Sequence, residues 1–235
     1  MNYLHNLPTS PYPLKRGADV TIRTTPSTIP LKLGEDRYEF SETDGRDYLG
    51  KLKESTVRMF FERWPALRLD KDFAYTSPLN DAAEKGNIKV MELLIKKGAD
   101  IDGMNAAETA LHCAISNGHA DAVRFLLTRG AGINLGASPD HTPLVSACES
   151  NPEIALILLE PKWGKRLLLN GRELLKASRN GHLELVKALV RRGADVNARD
   201  DFGNTPWSIA FHWEHKDVAL FLAAHGADTS SQSEH

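Results

Sequence analysis

Among the side chains of this 235-residue chain that could move protons or hold anions, His141, Glu149, Arg179 and His212 are four that could line one groove. A histidine and a carboxylate can serve as acid and base while a guanidinium holds developing negative charge, which is the equipment for cofactor-free proton transfer or cyclisation of a small molecule. Two further patterns bear on chemistry. His212-Trp213-Glu214-His215 places two histidines three residues apart, a permissible metal spacing on a helix. Between residues 160 and 192 stand nine basic and three acidic residues, and Arg172, Lys176 and Arg179 among them are candidates for an anionic ligand. The competing reading of that stretch is a solvated outer face.

Nothing fixes the mutual geometry of these residues, and the motifs that would do so are missing. The chain has no phosphate loop, dinucleotide glycine fingerprint, nucleophile elbow or metalloprotease helix motif. No catalytic residue, metal ligand or cofactor is therefore assigned. Cys113 and Cys148 fall among apolar neighbours in helical stretches and read as reduced core residues.

The elements that must position these groups come from a period in the sequence. Gly86-Asn87, Gly118-His119 and Gly181-His182 each open an amphipathic run that a Gly-Ala step closes, at Gly98-Ala99, Gly130-Ala131 and Gly193-Ala194. Before each unit stands a short helix start: Ser77-Pro78-Leu79, Thr109-Ala110-Leu111-His112, Thr142-Pro143-Leu144 and Thr205-Pro206-Trp207, with a diverged copy at Arg172. The starts are spaced by 32, 33, 30 and 33 residues. Thr or Ser before Pro caps a helix, with Pro in the first helical position where its missing donor is harmless. Leu183, Val186, Leu189 and Val190 then form the apolar stripe of a second helix.

This pattern resembles the ankyrin repeat, whose signature is a Thr-Pro-Leu-His helix start, a Gly-His turn and a Gly-Ala-Asp close. The resemblance implies an all-α solenoid of stacked helix-turn-helix units. One unit cannot bury both faces of its helices, so neighbours must stack. Five repeats are expected over 72–229, a divergent helical N-terminal cap with degenerate repeat elements and an insertion over 1–71, and a disordered tail over 230–235.

In that cap, Lys15-Arg16-Gly17-Ala18-Asp19-Val20 repeats the close, and Ile29-Pro30-Leu31 follows in phase as a unit start. Ile29 and Ser77 are 48 residues apart, so about 15 are inserted, including the acidic stretch 35–47. One helix is expected over 44–64, burying Leu49, Leu52, Met59, Phe60 and Trp64, stopped by Pro65 and capping the stack. The stretch 1–14 stands where a preceding unit's helices belong, which suggests descent from a longer array.

Resemblance also implies that turn tips and exposed inner-helix positions choose the partner. The residues so placed are Glu108, His141, Glu149, Arg179, Asn180, Phe202, His212 and Trp213. Trp213 either anchors a partner or, with Trp207 and Phe211, closes the end of the stack. The histidines of the Gly-His turns, His119, His182 and His215, are expected to bond backbone rather than metal. Only eight residues separate Gly164 from Arg172, against 11 or 12 elsewhere, so a notch is expected there.

Composition narrows the partners. With 41% hydrophobic and 26% charged residues and a net charge of -2, the chain has no global basic excess for a phosphate backbone or an anionic membrane, which disfavours nucleic acid. No secretory signal or membrane span is evident, so an intracellular, monomeric protein in the cytoplasm or nucleus is expected. The function expected is non-enzymatic recognition of a protein or peptide in a concave groove. The alternative is a cofactor-free enzyme or ligand carrier whose N-terminal insertion covers that groove.

Overall fold

The computed structural model describes residues 28–33, 36–41, 49–63, 77–104, 108–163 and 166–230. Five helix pairs follow one another: α2 (Pro78–Glu84) with α3 (Ile88–Lys96), α4 (Ala110–Ser116) with α5 (Ala120–Thr128), and α6 (Pro143–Ser150) with α7 (Pro152–Leu158). Then come α8 (Arg172–Arg179) with α9 (Leu183–Arg191) and α10 (Pro206–His212) with α11 (Lys216–Ala224). The first helices pack in series, α2 on α4 on α6 on α8 on α10, and the second helices do the same. Contacts therefore run from each unit to its neighbour, as stacking requires.

The starts form for the reason their residues suggest. Thr142 Oγ1 accepts from the Val145 amide at 3.3 Å and Thr205 Oγ1 from the Ser208 amide at 3.1 Å, satisfying donors that a helix N-terminus leaves open. One alanine of each first helix (Ala82, Ala114, Ala147, Ala177 and Ala210) is fully buried, so these helices approach closely. The second helices supply larger groups: Leu185, Val186 and Leu189 are buried, each contributing about 1.5–3 kcal/mol by leaving water. All this apolar surface joins one continuous core.

Two sequence expectations for the N-terminal part need correction. Ile29-Pro30-Leu31 does not open a helix. It lies in strand β1 (Thr28–Leu33), which pairs antiparallel with β2 (Asp36–Ser41), Ile29 opposite Phe40 and Leu31 opposite Tyr38. The capping position holds Ile29, which has no side-chain acceptor, and Ile29, Leu31 and Leu33 alternate with polar or proline residues at the period of a strand. The helical fold class thus carries a small hairpin.

The single helix over 44–64 is broken. A 3-10 turn, Leu49–Lys51, precedes a separate helix α1 (Glu54–Arg63). The turn packs on α2, and α1 packs on α3, in the positions a preceding unit would take. A Cβ on Gly50 would come within 1.9 Å of the Pro78 carbonyl oxygen, so the close approach needs glycine. Leu49 and Phe60 are buried as expected, Leu52 is half-buried, and Val57 and Phe61 join the core. The Met59 side chain, Trp64, Pro65, the 15–20 motif, the 1–14 stretch and 231–235 lie outside the described residues.

Candidate partner-binding groove

Each first helix ends in two exposed positions before the turn: Glu84 and Lys85, Ser116 and Asn117, Glu149 and Ser150, Arg179 and Asn180, His212 and Trp213. The loops preceding the first helices supply the other edge. These two sets contain all the expected partner-binding residues.

At the boundary between α8 and α10 the structure brings three of them together. The Arg179 guanidinium lies over the Trp213 indole, 5.1 Å from the ring centroid, and the His212 ring meets the same indole edge-on at 6.0 Å. Trp213 remains 51% exposed. The ring that closes the stack is Trp207, buried and stacked on Phe211 at 5.3 Å. Trp213 is thus not a core residue. Asn180 is turned back instead, its Nδ2 donating to the carbonyls of Glu149 at 3.2 Å and Cys148 at 3.4 Å.

Phe202 stands on a braced loop. Asp200 Oδ1 accepts from the amides of Phe202 at 2.9 Å and Asn204 at 2.8 Å, while Oδ2 accepts from Asn204 Nδ2 at 2.9 Å. These bonds help hold the Asp200 carboxyl below its usual range, against the opposing effect of desolvation. The result is a rigid turn carrying a phenylalanine that is 91% exposed.

The remaining residues have contacts of their own. Glu108 gives its carbonyl to Asn80 Nδ2 at 2.9 Å, and its carboxylate lies 3.9 Å from Cys113 Sγ. His141 stacks on buried His112, centroids 5.9 Å apart, and its carbonyl accepts from His112 Nε2 at 2.9 Å. Glu149 accepts from Lys176 Nζ at 3.1 Å through both oxygens. His141 precedes α6 and Glu149 lies in its last turn, with about 9 Å of helix between them. The proton-transfer set is therefore distributed among elements, each member with its own contacts.

The expected anion-binding cations are mostly satisfied within the chain. Arg172 reaches Asp201 at 2.9 Å and Asp140 at 3.4 Å, and Lys176 is held by Glu149. Arg166 donates to the carbonyls of Gly130 and Ala131. Gly164 and Lys165 of the basic stretch lie outside the described residues.

Two of the three turn histidines bond backbone as expected: His119 Nε2 donates to the Glu84 carbonyl at 2.8 Å and His215 Nε2 to the Arg179 carbonyl at 2.9 Å, whereas the His182 side chain makes no hydrogen bond among the described residues. Both cysteines are free; burial pushes the Cys113 thiol up to about 12 and raises Cys148 as well. Among the described residues no group of three or more His, Cys, Asp or Glu is arranged to hold a metal ion, and no helix is long and apolar enough to cross a membrane.

Sequence reasoning missed Glu173. Its side chain is buried and its carboxylate accepts from the amides of Asn170 and Gly171, at the start of α8 where the other units carry Ser or Thr. The missing Ser or Thr was the available signal. Burial raises the Glu173 pKa, against these bonds.

The family model for ankyrin repeats matches in three overlapping copies, over residues 53–137, 79–170 and 165–233. The chain belongs to the ankyrin-repeat family. The first match begins at residue 53, just before α1, so the likeness to ankyrin repeats extends ahead of the five complete pairs. Among curated proteins, an L-asparaginase of Dirofilaria immitis is 32% identical over 152 residues, 63% of this chain and 26% of that protein. A putative ankyrin repeat protein of fowlpox virus is 28% identical over 145 residues, 61% of this chain and 21% of that protein. A transient receptor potential cation channel subfamily A member 1 homolog of Caenorhabditis elegans is 29% identical over 202 residues, 84% of this chain and 14% of that protein. This ankyrin chain thus spans about a quarter or less of the length of these relatives.

Proposed function

We propose that the ankyrin array is a non-enzymatic interaction module that takes a protein or peptide segment along the exposed ends of its first helices and the loops beside them. The observation that carries this reading is Phe202, 91% exposed on a loop locked by Asp200 and tied to Arg172. A phenylalanine held rigidly in water gains about 2 kcal/mol when a partner covers it, and little of that is lost to ordering the loop. Ankyrin repeats are generally protein-interaction modules, and the exposed Trp213 fits the aromatic anchors that dominate interfaces. We place the protein inside the cell, as a monomer without cofactor; the two free, buried-type thiols agree with a reducing compartment.

An anionic ligand at Arg172, Lys176 and Arg179 keeps support only at Arg179, because carboxylates of the chain already hold the other two. The reading as a small-molecule site closed by the N-terminal insertion draws no support from the capping turn and α1, whose packing is on the first complete unit.

The test is affinity capture from a native extract with the intact chain and with the Phe202→Ala/Trp213→Ala double variant, alongside thermal melts of both. We expect a set of proteins lost from the variant while its melting temperature stays within a few degrees. A melting temperature that falls together with binding would make both rings packing residues and remove the basis of the proposal.

A further inference from the structure

We infer that the segment bound beside α10 carries a single carboxylate, read by Arg179, about four residues from an apolar side chain that covers Phe202. The inference rests on the interaction-module reading and adds the chemistry of the partner.

Arg179 differs from its cationic neighbours. Arg172 is shared by Asp140 and Asp201, and Lys176 is held by both oxygens of Glu149, whereas Arg179 makes no ion pair among the described residues. Its guanidinium carbon lies 5.1 Å from the Trp213 ring centroid, and among the described residues this exposed side chain makes no hydrogen bond, so its N–H donors are open to a ligand. A fork of parallel donors is the shape that binds a carboxylate through both oxygens.

The fork is also positioned in advance. The Arg179 carbonyl accepts from His215 Nε2 at 2.9 Å, and the indole beneath the guanidinium is flanked edge-on by His212. Less side-chain freedom is then lost on binding, which is where an exposed arginine usually forfeits its affinity.

The local charge selects the class of anion. Of the three cations of α8, Arg172 and Lys176 are neutralised and Arg179 has no ion pair among the described residues; a single guanidinium balances a carboxylate but not a phosphate group of charge about -1.5 to -2. The spacing follows from α10. Thr205 caps its start, beside the Phe202 loop, and Trp213, beneath Arg179, its end; the axial length of about 12 Å between these caps sets the scale, which about four residues of extended chain would span.

The experiment is selection of a random peptide library on the full chain, followed by affinity measurement on synthetic copies of the selected peptides. The expected peptides carry Asp or Glu about four residues from Leu, Phe or Trp. Replacing that acid by its amide should weaken binding about tenfold, Arg179→Ala should do the same to the acidic peptide, and the two changes together should cost no more than either alone. Because the amide replacement is made in the peptide, it reports on the contact whether or not the protein variant folds.

Peptides that lose affinity in Phe202→Ala but contain no required acid would overturn the inference and leave the interaction-module reading standing. A phosphoserine in place of the acid that tightens binding tenfold would overturn the carboxylate assignment in the same way. Failure to select any peptide sensitive to Phe202→Ala or Trp213→Ala would overturn both.

Discussion

Arg172 Nη2 lies 2.9 Å from Asp201 Oδ1, joining the start of α8 to the loop that precedes the next unit. The same guanidinium reaches back to Asp140 at 3.4 Å, so one side chain ties the loops on both sides of the short junction. These contacts raise the Arg172 pKa, first through the bond to Asp201.

Asp201 and Asp140 are 78% and 51% exposed, and pairs so exposed contribute no more than about 1 kcal/mol. Arg172→Ala should therefore leave global stability nearly unchanged while loosening the Phe202 loop. Hydrogen exchange should show faster exchange at the amides of Phe202 and Asn204, and molar salt should speed the same amides in the wild type by screening the pairs. Unchanged exchange there would mean that Asp200 alone holds the loop.

Glu214 occupies, in the last unit, the turn position held by Gly86, Gly118 and Gly181, and adopts the same left-handed backbone, with φ 61 against 62, 75 and 69. A side chain in that region carries about 1–2 kcal/mol of strain, and glycine removes it at some entropic cost in the unfolded chain. Glu214→Gly should accordingly raise the unfolding free energy by about 0.5–1 kcal/mol in urea titration. A destabilised variant would show that the Glu214 side chain makes a compensating contact.

His112 is buried, with Nδ1 accepting from the Thr109 amide at 3.3 Å and Nε2 donating to the His141 carbonyl, an arrangement that requires the neutral ring. Burial is the leading cause that lowers its pKa below 6.5. The unfolded chain then takes up the proton first, so this contribution to stability is complete above pH 6.5 and is lost as pH falls through the folded value. Glu173 acts with the opposite sign: its raised pKa gives stability present below pH 4.5 and lost as pH rises through the folded value. Urea titrations across pH should show His112→Gln less stable but flatter below pH 6.5. At neutral pH Glu173→Gln should match or exceed the wild type, while Glu173→Ala, which strands the Asn170 and Gly171 amides, should lose about 1–2 kcal/mol. A parallel profile for His112→Gln would put the proton linkage elsewhere.

The five helix pairs were legible because their signals are local: Thr142 and Thr205 cap the helices they precede, and Leu185, Val186 and Leu189 recur at helical spacing. The N-terminal part was harder to read. Ile29-Pro30-Leu31 has the phase of a unit start but the alternation of a strand, and the pairing with Tyr38 and Phe40 that resolves the conflict is not visible along the chain. The helix whose apolar stripe had argued for continuity is interrupted at Leu52 and Lys53, and the close approach of the Pro78 carbonyl to Gly50 just ahead of that point comes from another element.

At the candidate site, sequence placed Phe202, Arg179 and Trp213 on exposed loop and helix-end positions through the repeat register alone. It did not separate Arg179 from Arg172 and Lys176, since all three appear as positive charge in one run. Their partners Trp213, Asp201 and Glu149 lie on neighbouring units or their loops, 34, 29 and 27 residues away in the chain.

By itself the sequence determined the repeat, the helix starts and which residues line one edge of the stack, because caps, periodicity and turn chemistry act within a few residues of their own position. Tertiary structure alone decided which cations are neutralised, which tryptophan is buried and which stays in water, and where the N-terminal helix breaks. Those outcomes depend on distances between units, and in a stacked fold such distances are set by side-chain packing across each boundary rather than by the order of residues along the chain.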